Sequence, residues 1–171
     1  MAVFDIDGYE PNWQSGASTL RRVHGSQLAE LAGRRLTDCW LVWDSSDDSW
    51  FADAPVVLDF DGRQVEICHH KFDELDIAWN RIDLARPIPW RYEEDGPMPL
   101  SWRNDRMPVL EQFRGEVLRE CVLQEWIGDD IANGMVAVAF SFDSGEFLVS
   151  NGLDENQIDV GPVDEPYRKV S

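Results

Sequence analysis

The sequence is poor in cations, with 15 lysine and arginine residues against 33 aspartate and glutamate residues and a formal net charge of −18. A field of that sign disfavours bare nucleic acid and anionic lipid as partners, because both are polyanions. Apolar runs are short, and none approaches the ~18 residues of a membrane-spanning helix. The first residues are acidic and lack the basic leader of a secretory signal. We therefore expect a cytoplasmic protein that binds neither nucleic acid nor membrane.

Cysteine is scarce as well. Cys39, Cys68 and Cys121 are an odd number and include no C-x-x-C spacing, which argues against a disulfide framework and the usual zinc site. Cys68 opens the one cluster of soft ligands, followed by His69 and His70. Successive residues of a strand point to opposite faces, so these three side chains do not converge on one ion.

Motifs of calcium binding and catalysis are missing too. Two Asp-x-Asp-Gly segments, at residues 5–8 and 59–62, lack the further oxygen ligands and flanking helices of a calcium loop, and turn chemistry explains both. Asp154 and Glu155 are adjacent carboxylates of the kind used in acid–base catalysis, but the sequence places no nucleophile beside them. We predict no metal, no cofactor and no catalytic residue.

The sequence does contain a repeat at an offset of 82 residues. Residues 28–76 align without a gap with residues 110–158. The identical positions are, in the numbering of the first copy, Leu28, Gly33, Leu36, Cys39, Leu41, Asp47, Asp48, Val56, Phe60 and Asp61. Because these identities agree with one structural plan, we interpret the repeat as an internal duplication.

Each copy is predicted to contain a β-hairpin. Residues 56–67 alternate between apolar and polar side chains around Asp61-Gly62, a strong two-residue turn signal. The register that places the apolar side chains on one face places Asp59, Gln64 and Glu66 on the other. The residues expected on the inner face are Val56, Leu58, Phe60, Val65 and Ile67 in copy one and Val138, Phe140, Phe142, Phe147 and Val149 in copy two.

A short helix is expected before each hairpin. In copy one Ser26 is the expected N-cap and Gly33 the left-handed residue that ends the helix. In copy two Pro108 suits the first turn and Gly115 ends the helix. The remaining strands are expected at residues 36–43, 76–84, 118–126 and 156–160.

The predicted fold is therefore α+β and mostly antiparallel β. One copy alone leaves an apolar sheet face uncovered, whereas two copies packed about a pseudo-twofold axis cover each other. We predict one globular domain over residues 1–171. It divides into copy one at about 26–84, a proline-rich connector at 85–108, copy two at about 108–160 and a C-terminal tail over the surface at 161–171.

The acidic residues are concentrated in the two copies. Residues 120–165 hold eleven acidic residues and no lysine or arginine, and residues 38–76 hold eleven against Arg63 and Lys71. Clustered charge raises the association rate with a partner of opposite sign. The chain also holds 8 tryptophans, and exposed tryptophan is typical of interface anchors. We predict a protein-binding module, most concretely an immunity or inhibitor-type protein that occupies a basic partner such as a bacterial toxin nuclease.

The candidate partner-binding residues lie in corresponding loops of the two copies. They are Asp129, Asp130, Asp154, Glu155 and Trp126, with Asp47, Asp48 and Trp50 as counterparts. A flat or convex acidic face would favour this hypothesis.

Two alternatives stay open. One is a small enzyme or ligand-binding protein with a carboxylate site where the copies meet, and its candidate residues are Asp154, Glu155, His69 and His70. A deep pocket with carboxylates in contact with a histidine would favour it. The other is a homodimeric structural module, which a large exposed apolar surface would favour.

Overall fold

The computed structural model describes residues 6–92 and 96–170. The helices are α1 (Ala17–Ala29) and α2 (Pro108–Glu111). The strands are β1 (Leu36–Asp44), β2 (Ser49–Trp50), β3 (Val56–Phe60), β4 (Arg63–His70), β5 (Glu74–Trp79), β6 (Arg91–Tyr92), β7 (Gly96–Pro97), β8 (Leu100–Arg103), β9 (Glu120–Trp126), β10 (Val136–Phe142), β11 (Gly145–Asn151), β12 (Asn156–Val160) and β13 (Tyr167–Lys169). The predicted α+β class with mostly antiparallel strands is confirmed.

Two sheets with matching strand order make up the body of the molecule. The first has the order β2-β1-β3-β4-β5, with β8 also paired to β1, and the second has the order β12-β11-β10-β9-β13. All of these strand pairs are antiparallel. The short strands β6 and β7 pair separately. Counted from β1 and from β9, the two sheets therefore run β1-β3-β4-β5 and β9-β10-β11-β12.

The hairpin of β3 and β4 has the register that the sequence predicts. Leu58 pairs with Val65, and the turn residues Asp61 and Gly62 have φ angles of 53° and 86°. Positive φ at both turn positions is what a tight hairpin with the twist of its strands requires. The corresponding pairs of β10 and β11 are Val138 with Val149 and Phe140 with Phe147.

The inner faces of the two sheets share one core. Phe60 and Phe140 are fully buried, and their rings stack with centroids 5.7 Å apart. Leu20 and Leu28 of α1 belong to the same core. Every hairpin residue expected on the inner face is buried in it, so the predicted side-chain alternation is confirmed.

Backbone hydrogen bonds join the two halves just before β1 and β9. The Gly33 N–H donates to the Leu118 carbonyl at 2.8 Å, and the Gly115 N–H donates to the Leu36 carbonyl at 2.7 Å. The Leu36 N–H donates to the Glu116 carbonyl and the Leu118 N–H to the Arg34 carbonyl. Each bond has a counterpart in the other half. The donor position of one half rises by 82 residues, the acceptor position of the other half falls by 82 residues, and the halves thereby exchange roles. Gly33 and Gly115 both have the expected left-handed conformation, with a φ of 87°. They do not end the helices, because α1 ends at Ala29 and α2 ends at Glu111.

Helix α1 differs from the expectation. Ser26 is not its N-cap, because the helix begins at Ala17 and Gly16 occupies the cap position. The helix extends this far because Leu20, His24 and Leu28, spaced by four residues, form one buried stripe. Helix α2 begins at Pro108 as expected.

The segments outside the copies add strands to the sheets. The C-terminal segment, expected as a surface tail, forms β13 and pairs with β9. Part of the connector forms β8 and pairs with β1. Strand β5 lies at Glu74–Trp79 rather than at 76–84, and Asn80 directly after it has a φ of 53° that ends the extended conformation.

The outer face of the first sheet is covered by a second apolar cluster. Ile6 and Tyr9 from the N-terminal segment and Ile82 pack there against Val57 and Cys68. This cover buries Glu66, which the sequence correctly places on the outer face, to 0 % exposure.

Candidate functional site

The loops that hold the predicted site residues lie at one end of the two-sheet body. In an antiparallel sheet β1 and β4 end where β3 and β5 begin, and the same holds for β9 to β12. His69 Nε2 near the end of β4 lies 3.1 Å from the Val136 carbonyl at the start of β10, and the Asp154 N–H donates to the Lys71 carbonyl at 2.9 Å. These contacts bring the two sheet ends together. We call the loops there the acidic end, made of residues 45–48, 51–55, 71–73, 127–135 and 152–155.

The acidic end carries charge of almost one sign. Its acidic residues are Asp47, Asp48, Asp53, Asp73, Asp129, Asp130, Asp154 and Glu155. All five loops are described in full, and Lys71 is their one lysine or arginine. Its Nζ lies 3.5 Å from a carboxylate oxygen of Glu74, and from outside the loops Arg106 approaches Asp48 at 3.9 Å.

At the opposite end of the sheets, arginines and carboxylates are paired. Arg63 at the start of β4 lies 3.1 Å from Glu30, and Arg119 before β9 lies 2.5 Å from Asp143. Arginine ion pairs therefore offset part of the negative charge at that end, whereas the loops of the acidic end contain one lysine and no arginine. A surface with charge of one sign attracts groups of the opposite sign.

Two corresponding aspartates at the acidic end accept hydrogen bonds from indoles. Trp43 Nε1 donates to Asp48 at 2.8 Å, and Trp126 Nε1 donates to Asp130 at 2.9 Å. Both aspartates are exposed. The bonds hold these carboxylates in place while their surface remains in solvent.

The two tryptophans predicted as interface residues are largely enclosed. Trp50 packs against the shared core, and its Nε1 is buried. Trp126 is half-buried, with its ring edge-on to Tyr167 at a centroid distance of 5.0 Å. Their first role is to support the loops.

The exposed apolar residues of the acidic end are aliphatic and phenyl side chains instead. Phe72 is 50 % exposed, Leu153 60 % and Ile131 65 %. Sequence reasoning missed them because a single apolar residue in a polar turn belongs to no periodic pattern. The sequence feature that could have identified them is their position, because each lies beside an aspartate in a loop.

The turn between β4 and β5 is bonded to the turn between β11 and β12. The Lys71 N–H donates to Asp154 Oδ1 at 2.5 Å, and the Lys71 carbonyl accepts from the Asp154 N–H and, at 3.0 Å, from Asn151 Nδ2. Lys71, Leu153 and Asp154 adopt left-handed φ angles of 50°, 67° and 73°. The two turns therefore form one fixed unit rather than two separate loops.

His70 makes the carboxylate contacts that the ligand-site alternative requires. Its Nδ1 lies 2.7 Å from Glu74 and its Nε2 3.9 Å from Asp154, and Trp13 stacks on the ring at 4.7 Å. The hydrogen bond with His70 lowers the pKa of Glu74, with a further contribution from Lys71. The side chains of His70 and Asp154 are 41 % and 63 % exposed, so this cluster is a surface feature and not a deep pocket.

The pKa of Asp53 is affected both by desolvation and by the neighbouring carboxylates. Desolvation by the surrounding loops raises its pKa, and the carboxylates of Glu155 and Asp154 raise it further, although Asp53 itself is exposed. Nearby like charges disfavour the ionised form of a carboxyl group. A cationic group placed here would relieve that repulsion.

His69 is structural, in contrast to its neighbour. It is buried between the sheets, where Asn156 Oδ1 accepts its backbone N–H at 2.8 Å and lies 3.1 Å from its Nδ1. Asn156 Nδ2 donates to the carbonyls of Ala52 and Ala54 at 3.0 and 2.8 Å. Burial lowers the pKa of His69, and its ring contacts with Val136 and Asn156 act in the opposite direction. His69 and Asn156 therefore join the two sheets, and both are buried away from any substrate.

Concave surfaces occur away from the acidic end. One groove of about 590 Å³ lies between α1 and β9, and another of about 360 Å³ lies between α1 and β5. Neither is lined by Asp154, Glu155 or His70. Across residues 6–92 and 96–170, no group of three or more histidine, cysteine, aspartate or glutamate side chains is arranged to hold a metal ion.

Comparison with known proteins leaves the site to be interpreted from its own geometry. In the described part of the chain, no helix combines the length and the apolar character needed to cross a membrane. No protein-family model matches the sequence, and no curated protein and no solved structure is significantly similar to the chain.

Proposed function

We propose that this is a cytoplasmic binding protein whose acidic end docks on a basic protein, most concretely an immunity or inhibitor-type protein for a basic toxin such as a nuclease. One observation carries the proposal. The five loops of the acidic end meet at one end of the molecule and contain eight carboxylates with Lys71 as their one lysine or arginine. Asp47, Asp48, Asp129, Asp130, Asp154 and Glu155 are the proposed contact residues.

The physical basis is substitution of carboxylates for phosphates. A nuclease active site holds phosphate oxygens with lysine and arginine. Clustered carboxylates are also anionic oxygen acceptors, so they can bind the same cations. A standard interface takes about 800 Å² from each partner. The described residues expose 8903 Å² in total, so one end of the molecule is large enough for such an interface.

We further propose that the chain consists of two copies related by duplication and packed about a pseudo-twofold axis. Support comes from the matching strand orders, from the equal hairpin registers and from the backbone bonds in which Gly33 and Gly115 exchange roles. Twofold symmetry produces such paired contacts. In this arrangement the Asp47-Asp48 loop and the Asp129-Asp130 loop are copies of one acidic loop brought to the same end.

The test is a rate measurement with the basic partner captured from the native host. Replacing Asp129 and Asp130 by lysine (D129K/D130K) should slow association about tenfold or more at low ionic strength and flatten its salt dependence. The control is Glu30→Lys with Glu111→Lys, which changes the net charge equally at the opposite end. An unchanged rate for D129K/D130K, or equal slowing by both pairs, would contradict docking through the acidic end.

A further inference from the structure

We infer that Phe72 and Leu153 together form the apolar anchor of this docking surface and enter an apolar pocket that basic residues of the partner surround. The inference deepens the proposed function and rests on it. It assigns the centre of the interface to two residues that are not acidic, and it leaves the carboxylates the role of a charged rim.

The two residues belong to one rigid unit. Phe72 follows Lys71 in its turn and Leu153 precedes Asp154 in the other. The Lys71 N–H donates to the Asp154 carboxylate, and the Lys71 carbonyl accepts from the Asp154 N–H. Asn151 adds a third bond between the turns. A preorganised surface loses little conformational freedom on binding, which favours affinity.

Both residues are exposed against the preference of their residue types. Phe72 and Leu153 are 50 % and 60 % exposed, and burial of such apolar surface on binding is favourable in proportion to its area. Leu153 is also held at a φ of 67°, a conformation that is unfavourable for a branched apolar residue. Strain of this kind persists where surrounding contacts impose it, and it is typical of binding sites.

The neighbouring charges identify the chemistry of the partner. Asp53, Asp73, Asp154 and Glu155 lie in the same two turns or in the loop beside them. Desolvation, together with the charges of Glu155 and Asp154, raises the pKa of Asp53. Protein interfaces combine an apolar, fully desolvated centre with a polar rim. Around Phe72 and Leu153 the rim is anionic, so the complementary surface is an apolar pocket edged by arginine or lysine.

A matched pair of peptides tests this even before the partner is identified. The probes are acetyl-Arg-Trp-Arg-Lys-amide and acetyl-Arg-Ser-Arg-Lys-amide, which differ in one apolar ring and carry equal charge. Each is titrated into the full ¹⁵N-labelled chain and followed by amide chemical shifts. For the natural chain we expect the tryptophan peptide to bind about tenfold more tightly, with its largest shifts at residues 71–74 and 151–155.

Variants locate the source of that preference. Phe72→Ser with Leu153→Ser should remove the difference between the peptides and leave their shared, salt-dependent binding. Val23→Ser with Val109→Ser is the matched control, because both valines are exposed apolar residues on the helices, and it should keep the difference. Leu153→Gly relieves the backbone strain, so it should raise the thermal midpoint and still reduce the preference, which separates lost contact from misfolding.

The outcomes distinguish this inference from the function on which it rests. Equal binding of both peptides at the acidic end would overturn the apolar anchor and leave the acidic docking surface in place. A preference that survives in the Phe72 and Leu153 double variant would overturn the anchor as well. If neither peptide shifts resonances of the acidic end, the proposed function fails and the anchor fails with it.

Discussion

The two sheets share their strand order and hairpin register, but their outer faces are covered by different means. Outside the first sheet, an N-terminal segment with Ile6 and Tyr9 and a connector with Trp90 form two buried clusters. Outside the second sheet the buried residues are smaller, with Ala137 and Ala139 beside Leu148. The inner faces are alike because they must fit each other, whereas each outer face follows the segment that covers it.

Buried charge shows the consequence of that difference. Glu66 and Asp76 are buried on the outer face of the first sheet. The matching strand positions of the second sheet are Leu148 and Gln157, because Asp76 pairs with Cys68 and Gln157 pairs with Ser150. Glu66 Oε1 accepts the N–H groups of residues 81 and 82, and Asp76 accepts the Tyr9 hydroxyl at 2.6 Å. A carboxylate is tolerated under a cover only where the cover brings hydrogen-bond donors.

The largest expected effect tests whether the two sheets are one cooperative unit. Phe60→Ala and Phe140→Ala each remove a fully buried ring from the stack between the sheets, and each should lower the free energy of unfolding by about 3–5 kcal/mol. Urea unfolding followed by circular dichroism should show one transition in both variants. Val109→Ala at an exposed position is the control. Two separate transitions, with only one of them shifted, would show that the sheets unfold independently.

A second comparison concerns Asn156 and Glu74, the first residues of β12 and β5. Asn156→Ala removes a buried side chain that bonds His69, Ala52 and Ala54, and we expect a loss of about 2–3 kcal/mol because buried partners are left unsatisfied. Glu74→Ala at the start of β5 should cost about 1 kcal/mol or less, since its ion pairs are at the surface. Equal losses in chemical denaturation would remove the proposed difference between the halves.

A smaller effect is expected from the cover of the first sheet. Tyr9→Phe keeps the ring and removes the hydroxyl that donates to Asp76, so it should lower the free energy of unfolding by about 1–2 kcal/mol. Hydrogen exchange of the amides in β5 should rise in the same variant. Full protection of β5 together with unchanged stability would show that this bond does not hold the N-terminal segment in place.

The smallest effect is one of pH dependence. Burial raises the pKa of Glu66 above its ordinary value of 4.5, so the folded chain binds a proton at higher pH than the unfolded chain does. The natural chain should therefore lose stability relative to Glu66→Gln as pH rises from about 4.5 through the raised pKa. Thermal midpoints at a series of pH values measure this difference. A difference that stays flat across this pH range would refute the assignment.

The inner hairpin faces could be predicted from the sequence because apolar side chains at every second position fix a single pairing register. A slip of one residue at Val65 or Phe147 would turn every apolar side chain outwards. The early start of α1 was missed although Leu20, His24 and Leu28 have helical spacing. Serine is a preferred N-cap residue, so Ser26 indicated a later start. The cover of Glu66 had no periodic signal, since it comes from residues far away in the chain.

The candidate site was predictable in its charge and not in its shape. Asp129 and Asp130 stood out as the repeat of Asp47 and Asp48, and chain topology then brought both pairs to the same end. Phe72 and Leu153 were not identified, because their exposure depends on how two turns from different sheets bond to each other. Their partner-binding roles stay proposals that the peptide titrations decide.

The indole bonds of Trp43 and Trp126 give the acidic end an optical property of its own. Indole emission depends on the hydrogen bond of its N–H, and here the acceptors are Asp48 and Asp130. Any cation that draws these carboxylates away changes the environment of both fluorophores. The chain thus contains a label-free spectroscopic reporter on each of the two acidic loops, and Trp43→Phe and Trp126→Phe would assign the signal to one loop or the other.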